Sequence, residues 1–228
     1  MTTIVAIVPA KDAANTVRAT VQALQSGDVV LEILVVDDGS VDDTAVEAAA
    51  AGAQVLRLAV NSGKSDAVRH GVDSTPQADI YLLVDADTGD HARGAFALLD
   101  PLLRNEADLT IGVLPDSSGR GGLGVVKSFA AWGIARTCGI TLAAPLSGQR
   151  AVRAPLLRAV GTSHRFGLEV AMTVDAVRAG ARVMEVPVEM DHLHRGRGFG
   201  GFMHRGRQGV DVVRALAPRM LRAGESSV

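Results

Sequence analysis

The sequence predicts an α/β fold, with a mostly parallel central sheet and helices on both faces, and three observations carry that expectation. Short apolar runs alternate with amphipathic stretches through the first half of the chain. The runs are apolar at nearly every position, as parallel strands buried on both faces must be. Two of them end in carboxylates, Val36-Asp37-Asp38 and Val84-Asp85-Ala86-Asp87-Thr88-Gly89-Asp90, which marks one rim of the sheet as polar.

Taken in order, strands are expected at Thr3–Val8, Glu32–Val36, Gln54–Leu58 and Ile80–Val84. Helices near Ala13–Gln25, Val41–Ala51 and Lys64–Val72 connect them, each opened by a polar residue (Asp12, Ser40, Ser62) able to cap free amides. The second half is less regular. Ala107–Gly112 and Gly148–Val152 read as strands, Val125–Thr137 and Leu168–Ala179 as helices, and Arg182–Glu189 as a late strand. The glycine-rich stretch Asp116–Gly124 reads as a loop, either a lid or a long connection.

With 228 residues, 47% of them hydrophobic, the chain can bury a full core as one domain. Cys138 is the single cysteine, which excludes an intramolecular disulfide and an all-cysteine metal site and suits a reducing compartment. Met1-Thr2-Thr3 leads straight into Ile4-Val5-Ala6-Ile7-Val8 without a basic leader, so a cytoplasmic protein is expected. The most apolar later stretch, Phe129 to Leu146, holds Arg136 and Pro145, and a central arginine costs about 2.5–3.5 kcal/mol in a membrane. A spanning helix is rejected.

The net charge of −2 hides an asymmetry: residues 191–224 carry seven arginines against two aspartates. Within this tail Met203, Val210, Val213, Leu216 and Met220 recur at helical spacing among Arg205, Arg207, Arg214 and Arg222. Such a helix either packs on the domain or lies on an anionic membrane, and Pro218 bends or ends it. His91, His192, His194 and His204 fit no zinc spacing.

Asn61-Ser62-Gly63-Lys64-Ser65, followed by a strand ending in Asp85, mimics a phosphate loop with its metal-binding aspartate. That motif also needs a glycine where this chain has Leu58, inside an expected strand, so an NTPase is disfavoured. Asp37 and Asp38, followed by Gly39 and Ser40, suit a base or ribose instead, because carboxylates accept N–H and O–H hydrogen bonds and repel a bare diphosphate. The diphosphate would be neutralised by Mg²⁺ or Mn²⁺ on Asp85 and Asp87, which offer the hard oxygen ligands such ions take.

Ile7-Val8-Pro9-Ala10-Lys11-Asp12, the Asp37–Thr44 segment, Asn61-Ser62-Gly63-Lys64-Ser65-Asp66-Ala67 and Asp85-Ala86-Asp87 stand in the order found in family-two glycosyltransferases of the GT-A fold, which the chain resembles. More loosely, Ser147-Gly148-Gln149-Arg150-Ala151-Val152-Arg153, Val183–Val188 and Arg195-Gly196-Arg197-Gly198 resemble segments of dolichyl-phosphate mannose synthase-like enzymes. The resemblance implies a single Rossmann-like GT-A domain over 1–190, with a nucleotide-binding half (1–113) and an acceptor half (114–190), then a basic loop and amphipathic helix over 191–228.

It also implies an inverting, metal-dependent transfer from a nucleotide diphosphate sugar. Pro9, Lys11, Asp12, Asp37, Asp38, Ser40, Lys64, Asp66, Asp85 and Ala86 would frame the nucleotide sugar, with Asp38 accepting a ring N–H of the base. Asp85 and Asp87 would meet ribose, metal and diphosphate. Lys64, Asp12 and Ser40 have a plainer reading as residues at helix starts. A hydroxyl acceptor would need Glu169 or Asp90 as base, whereas a phosphate acceptor, polyprenyl phosphate above all, would need Arg150, Arg153, Arg195 and Arg197. Peripheral contact with the inner membrane face would follow from the basic tail; no nucleic-acid partner is implied, and no oligomeric state is set. A nucleotide-sugar binding module without activity stays open as the alternative of another class.

Overall fold

The computed structural model describes residues 2–29, 31–115, 123–160 and 167–190. Seven strands form one sheet: β1 (Ile4–Ala10), β2 (Glu32–Asp37), β3 (Gln54–Arg57), β4 (Ile80–Leu83), β5 (Leu109–Val113), β6 (Arg150–Arg153) and β7 (Val183–Pro187). Their order is β3-β2-β1-β4-β6-β5-β7. Every pairing is parallel except those of β6, which runs antiparallel to both β4 and β5. All seven strands lie where the apolar runs place them.

The alternation of side chains divides the core into two layers. Ile4, Ala6, Val8, Val35 and Leu82 face α1 (Val17–Gln25), α2 (Thr44–Ala50) and a 3₁₀ helix at Gly89–Leu98. Val5, Ile7, Leu34, Val36, Tyr81 and Leu83 face α3 (Lys64–Ser74), α5 (Leu123–Cys138), α6 (Ala154–Val160) and α7 (Leu168–Arg178), while α4 (Asp100–Leu103) follows the 3₁₀ helix. Helices on both faces of a buried sheet are what the sequence predicts.

The 3₁₀ helix, α4 and α6 are not foreseen by the apolar pattern. The first buries Gly89, Ala92, Ala95 and Leu98, a spacing of three that suits a helix with three residues per turn, and its small side chains carry almost no hydropathy signal. Gly94 in its middle passes so close to the chain that a Cβ would lie 2.6 Å from the Glu189 carbonyl oxygen. None of Asp12, Ser40 and Ser62 caps a helix. Asp12 has φ +49°, and α1 starts only at Val17, because the intervening residues form a turn closed on the Ala13 carbonyl.

At the rim opposite the strand-end carboxylates, Asp108 pairs with Arg182 at 2.8 Å and with Arg153 at 3.3 Å, tying β5, β6 and β7. Among the described residues no helix is long and apolar enough to cross a membrane. Most of the stretch 116–124, the tail from 191 onward with its arginines and the histidines at 192, 194 and 204 lie outside the described residues.

Candidate active site

Strand register brings the polar motifs to one rim. Ala10 lies opposite Asp37, Asp37 opposite Arg57, and Ile7 opposite Leu83, so the segments after β1, β2, β3 and β4 leave the sheet side by side. The chain steps from β1 to β2 on one side and later to β4 on the other, and the crevice at such a switch point is where open α/β sheets bind ligands.

On the β2 side, the expected ligand groups are engaged with the protein. Asp37 is fully buried; one oxygen accepts the Ser40 amide at 2.8 Å, and the other lies 3.3 Å from Arg57 Nε across the sheet. The first of these bonds holds the turn, and Oδ2 accepts no hydrogen bond among the described residues. Asp38 accepts the amides of Ser62 at 2.7 Å and Gly63 at 2.8 Å, so it first ties down the loop before α3. These are the amides a phosphate loop would turn to its ligand, and their use here removes the physical basis of the NTPase reading. Gly39 joins the two segments at φ +68°, and a Cβ there would lie 3.0 Å from Asn61 N.

The β1 loop is knitted to the same turn. Ser40 Oγ accepts the Asp12 amide at 2.9 Å, and Asp12 Oδ1 accepts the Val41 amide at 2.9 Å. The Lys11 ammonium, 2.8 Å away, together with that amide holds the Asp12 carboxyl below its usual range. Ser40 and Asp12 therefore act as loop-to-loop links, and Pro9 and Lys11 lie half-buried beside them.

The turn after β4 is closed by its own hydrogen bonds. The Asp85 carbonyl accepts the Thr88 hydroxyl at 2.7 Å, and the Thr88 amide bonds the same oxygen. From α1, buried Thr20 donates its hydroxyl to the Ala86 carbonyl at 3.0 Å and accepts the Gly89 amide at 2.8 Å. Thr20 is missed from sequence because a threonine on the apolar face of a helix gives no signal of its partner. Asp85 and Asp87 are half-buried at this turn, Ala86 is buried between them, and Asp90 is exposed in the first turn of the 3₁₀ helix.

Three charged groups converge beside the turn. Lys64 Nζ lies 2.6 Å from Asp85 Oδ1 and 3.1 Å from Glu169 Oε1. Lys64 is the first residue of α3, where a cation opposes the helix dipole, while Glu169 in the first turn of α7 favours it. Burial alone pulls the Lys64 pKa down, but the two carboxylates outweigh it and hold the ammonium well above its ordinary value. Gln149 Nε2 donates to Asp85 Oδ2 at 3.2 Å. Above them passes Gly148, where a Cβ would lie 2.4 Å from Lys64 Nζ and 2.5 Å from Asp85 Oδ2. Gly148 and Gln149 complete the site, and only their place in the Ser147–Arg153 motif hinted at it.

The remaining candidates fall elsewhere. Asp66 pairs with Arg69 one turn along α3, at 3.2 Å. Arg153 ends β6 at the opposite rim, bonded to Leu102 O at 2.7 Å and paired with Asp108. Arg150 has no exposed surface, and burial lowers its pKa to about 10 against the opposing pull of Glu169 and Glu185. Neither arginine can reach an acceptor phosphate from these positions, a correction to that expectation. Arg195 and Arg197 lie outside the described residues.

Fold and rim together define a doubly wound nucleotide-type domain whose crevice gathers carboxylates, one lysine and a close-packed glycine. Residues 5–151 match the model of glycosyl transferase family 2, and the chain belongs to that family. It is 33% identical over 164 residues to glycosyltransferase AglJ of Haloferax volcanii, covering 68% of this chain and 52% of the relative. It is 27% identical over 196 residues to glucosyl-3-phosphoglycerate synthase of Mycolicibacterium paratuberculosis, covering 76% of this chain and 59% of the relative. The chain thus spans between half and three fifths of these relatives. Among solved structures, glucosyl-3-phosphoglycerate synthase from Mycobacterium tuberculosis, in complex with Mn²⁺, uridine diphosphate and phosphoglyceric acid, superposes with a TM-score of 0.78 at 25% identity, covering 96% of this chain and 78% of that one. The architecture is the GT-A fold.

Proposed function

We propose that this protein is a metal-dependent glycosyltransferase that moves a sugar from a nucleoside diphosphate donor to a phosphate-bearing acceptor. The observation that carries the reading is the convergence of Asp85, Lys64 and Glu169 beside the Asp85–Asp87 turn at the switch point of the sheet. The relative bound to Mn²⁺, uridine diphosphate and phosphoglyceric acid supports the donor, the ion and the class of acceptor.

The donor set fits a hard divalent cation. Among the described residues no group of three or more His, Cys, Asp or Glu could hold a metal ion unaided. Mg²⁺ and Mn²⁺ suit such a site, since Mg²⁺ in particular binds through one or two carboxylates plus substrate phosphates. Asp87, with Asp85 beside it, would hold the ion, which when bound steadies the negative charge that grows on the departing diphosphate. The protein's own work is orientation: Thr20 and Thr88 fix the turn, Gln149 and Lys64 fix the Asp85 carboxylate, and Lys64 adds a cation near the leaving group.

For the acceptor, Glu169 is the described carboxylate placed to act as base, because it reaches the same lysine as Asp85, whereas Asp90 points to solvent. The acceptor therefore offers a hydroxyl to the sugar and carries its phosphate to another part of the site. Direct attack by a polyprenyl phosphate is the second reading, suggested by the arginine-rich tail. Inversion, the outcome the family resemblance implies, is read from the anomeric configuration of the product. The deciding experiment measures nucleotide release from UDP-, GDP- and dTDP-sugars with Mn²⁺, Mg²⁺ and chelator. Metal-dependent release from one class is expected; metal-independent release, or turnover of ATP instead, would sink the proposal.

A further inference from the structure

We propose that Arg150 is a positioning residue: a buried guanidinium that, through the hydroxyl of Thr173, fixes the first turn of α7 and with it the place of Glu169. The inference rests on the reading of this rim as the active site.

Arg150 is the largest fully buried side chain among the described residues, and each of its nitrogens has a defined acceptor. Nε donates to the Ser147 carbonyl at 2.8 Å, Nη2 to the Pro145 carbonyl at 3.2 Å, and Nη1 to Thr173 Oγ1 at 2.9 Å. Thr173 Oγ1 in turn donates to the Glu169 carbonyl one helical turn back, at 2.8 Å. One hydroxyl thus accepts from the arginine and donates to the residue whose carboxylate reaches Lys64. None of the three acceptors is a carboxylate. A cation taken out of water without an ion-paired partner is costly, and a core built only for stability would use an apolar side chain of similar volume.

The geometry explains what is gained. The two carbonyls belong to the loop that delivers Gly148 to Lys64 and Asp85, and Thr173 belongs to the helix that delivers Glu169. A planar guanidinium with five donors in fixed directions can span both; the flexible ammonium of lysine cannot hold the same three acceptors at these angles. The preceding residue, Gln149, binds Asp85, so two consecutive residues, the last of the loop and the first of β6, grip both carboxylate-bearing segments. Glu185, which accepts the amides of Ala143 at 2.9 Å and Ala144 at 2.6 Å, fastens the same loop from β7 and helps balance the charge of Arg150.

The test compares Thr173→Val, which keeps the volume and removes the hydroxyl, with Thr173→Ser, which keeps the hydroxyl. Steady-state nucleotide release, melting temperature and amide exchange of the segment 167–173 are measured on the full chain. Thr173→Val should lower kcat by about tenfold to a hundredfold, as small misplacements of a reacting group do. It should leave the donor KM within about twofold, speed exchange in that segment alone, and be rescued by serine. Unchanged kcat, failure of serine to rescue, or a uniform rise in exchange with a collapsed melting temperature would each overturn the proposal. Should the wild-type protein turn over no nucleotide sugar, the functional reading fails on its own, and the exchange measurement alone decides whether this relay fixes the turn.

Discussion

Gly148→Ala tests how far the Lys64–Asp85 contact depends on the close passage of the backbone at residue 148. A methyl group there would come within 2.4 Å of Lys64 Nζ and 2.5 Å of Asp85 Oδ2, about 1 Å short of ordinary contact with each. Both atoms are the ends of side chains, so moving them costs little sterically, but the 2.6 Å contact between Lys64 and Asp85 cannot survive unchanged. Losing a charge-assisted hydrogen bond of this kind is worth about 1.5–3 kcal/mol, or roughly 10- to 100-fold in kcat/KM for the donor. Gly148 is not among the glycines with positive φ, so alanine adds no backbone strain, and its restriction of the unfolded chain, about 0.4–1 kcal/mol, offsets only part of the lost contact; the melting temperature should fall by a few degrees. Calorimetric titration of UDP in the presence of Mn²⁺, steady-state nucleotide release and a thermal melt measure the three quantities. A variant that binds and turns over within twofold of wild type would refute the claim that the close approach of Gly148 sets the Lys64–Asp85 geometry.

Three further outcomes follow from the same contacts. Asp87→Ala should reduce nucleotide release by about 10²–10³-fold, and normal turnover would remove Asp87 from the mechanism. Thr20→Val strands the Ala86 carbonyl and Gly89 amide, which should cost about 1–3 kcal/mol in a urea titration and raise the Mn²⁺ concentration needed for half-maximal rate. Asp108, held at about 2 chiefly by its hydrogen bond from Arg182, contributes stability that is complete above pH ~4 and is lost as the pH falls toward 2. Asp108→Asn should therefore flatten the acid limb of the stability curve by about 2 kcal/mol, and identical acid limbs would contradict the assignment.

The parallel sheet and its polar rim were legible because apolar strand runs and strand-end carboxylates are local signals that survive without tertiary context. Asp85, Lys64 and Glu169 were found as separate candidates, yet nothing in a linear pattern shows that one lysine joins carboxylates 21 and 105 residues away. The arginines mark the limit in the other direction. Arg150 and Arg153 looked alike as anion ligands, but three residues along a strand place one inside the core and the other at the far rim. Asp37 and Asp38 likewise differ only by the alternation of a strand end, which turns one inward to Arg57 and the other toward the next loop. Small-residue packing in the 3₁₀ helix and the hydroxyl of Thr20 were silent because alanine, glycine and threonine announce neither a face nor a partner.

The antiparallel strand β6 bears on how this domain comes into being. It lies between β4 and β5, so the four fully buried residues of β4 have their second neighbour only when residues 150–153 arrive. Until then the chain emerging during synthesis carries a bare apolar edge, the kind of surface that pairs with other chains. A fragment ending at residue 113 would expose that edge permanently and would also lack Gln149 against Asp85. Residues 1–113 alone should therefore pair with other chains through that edge, and shortened versions of this protein should be cut beyond β6.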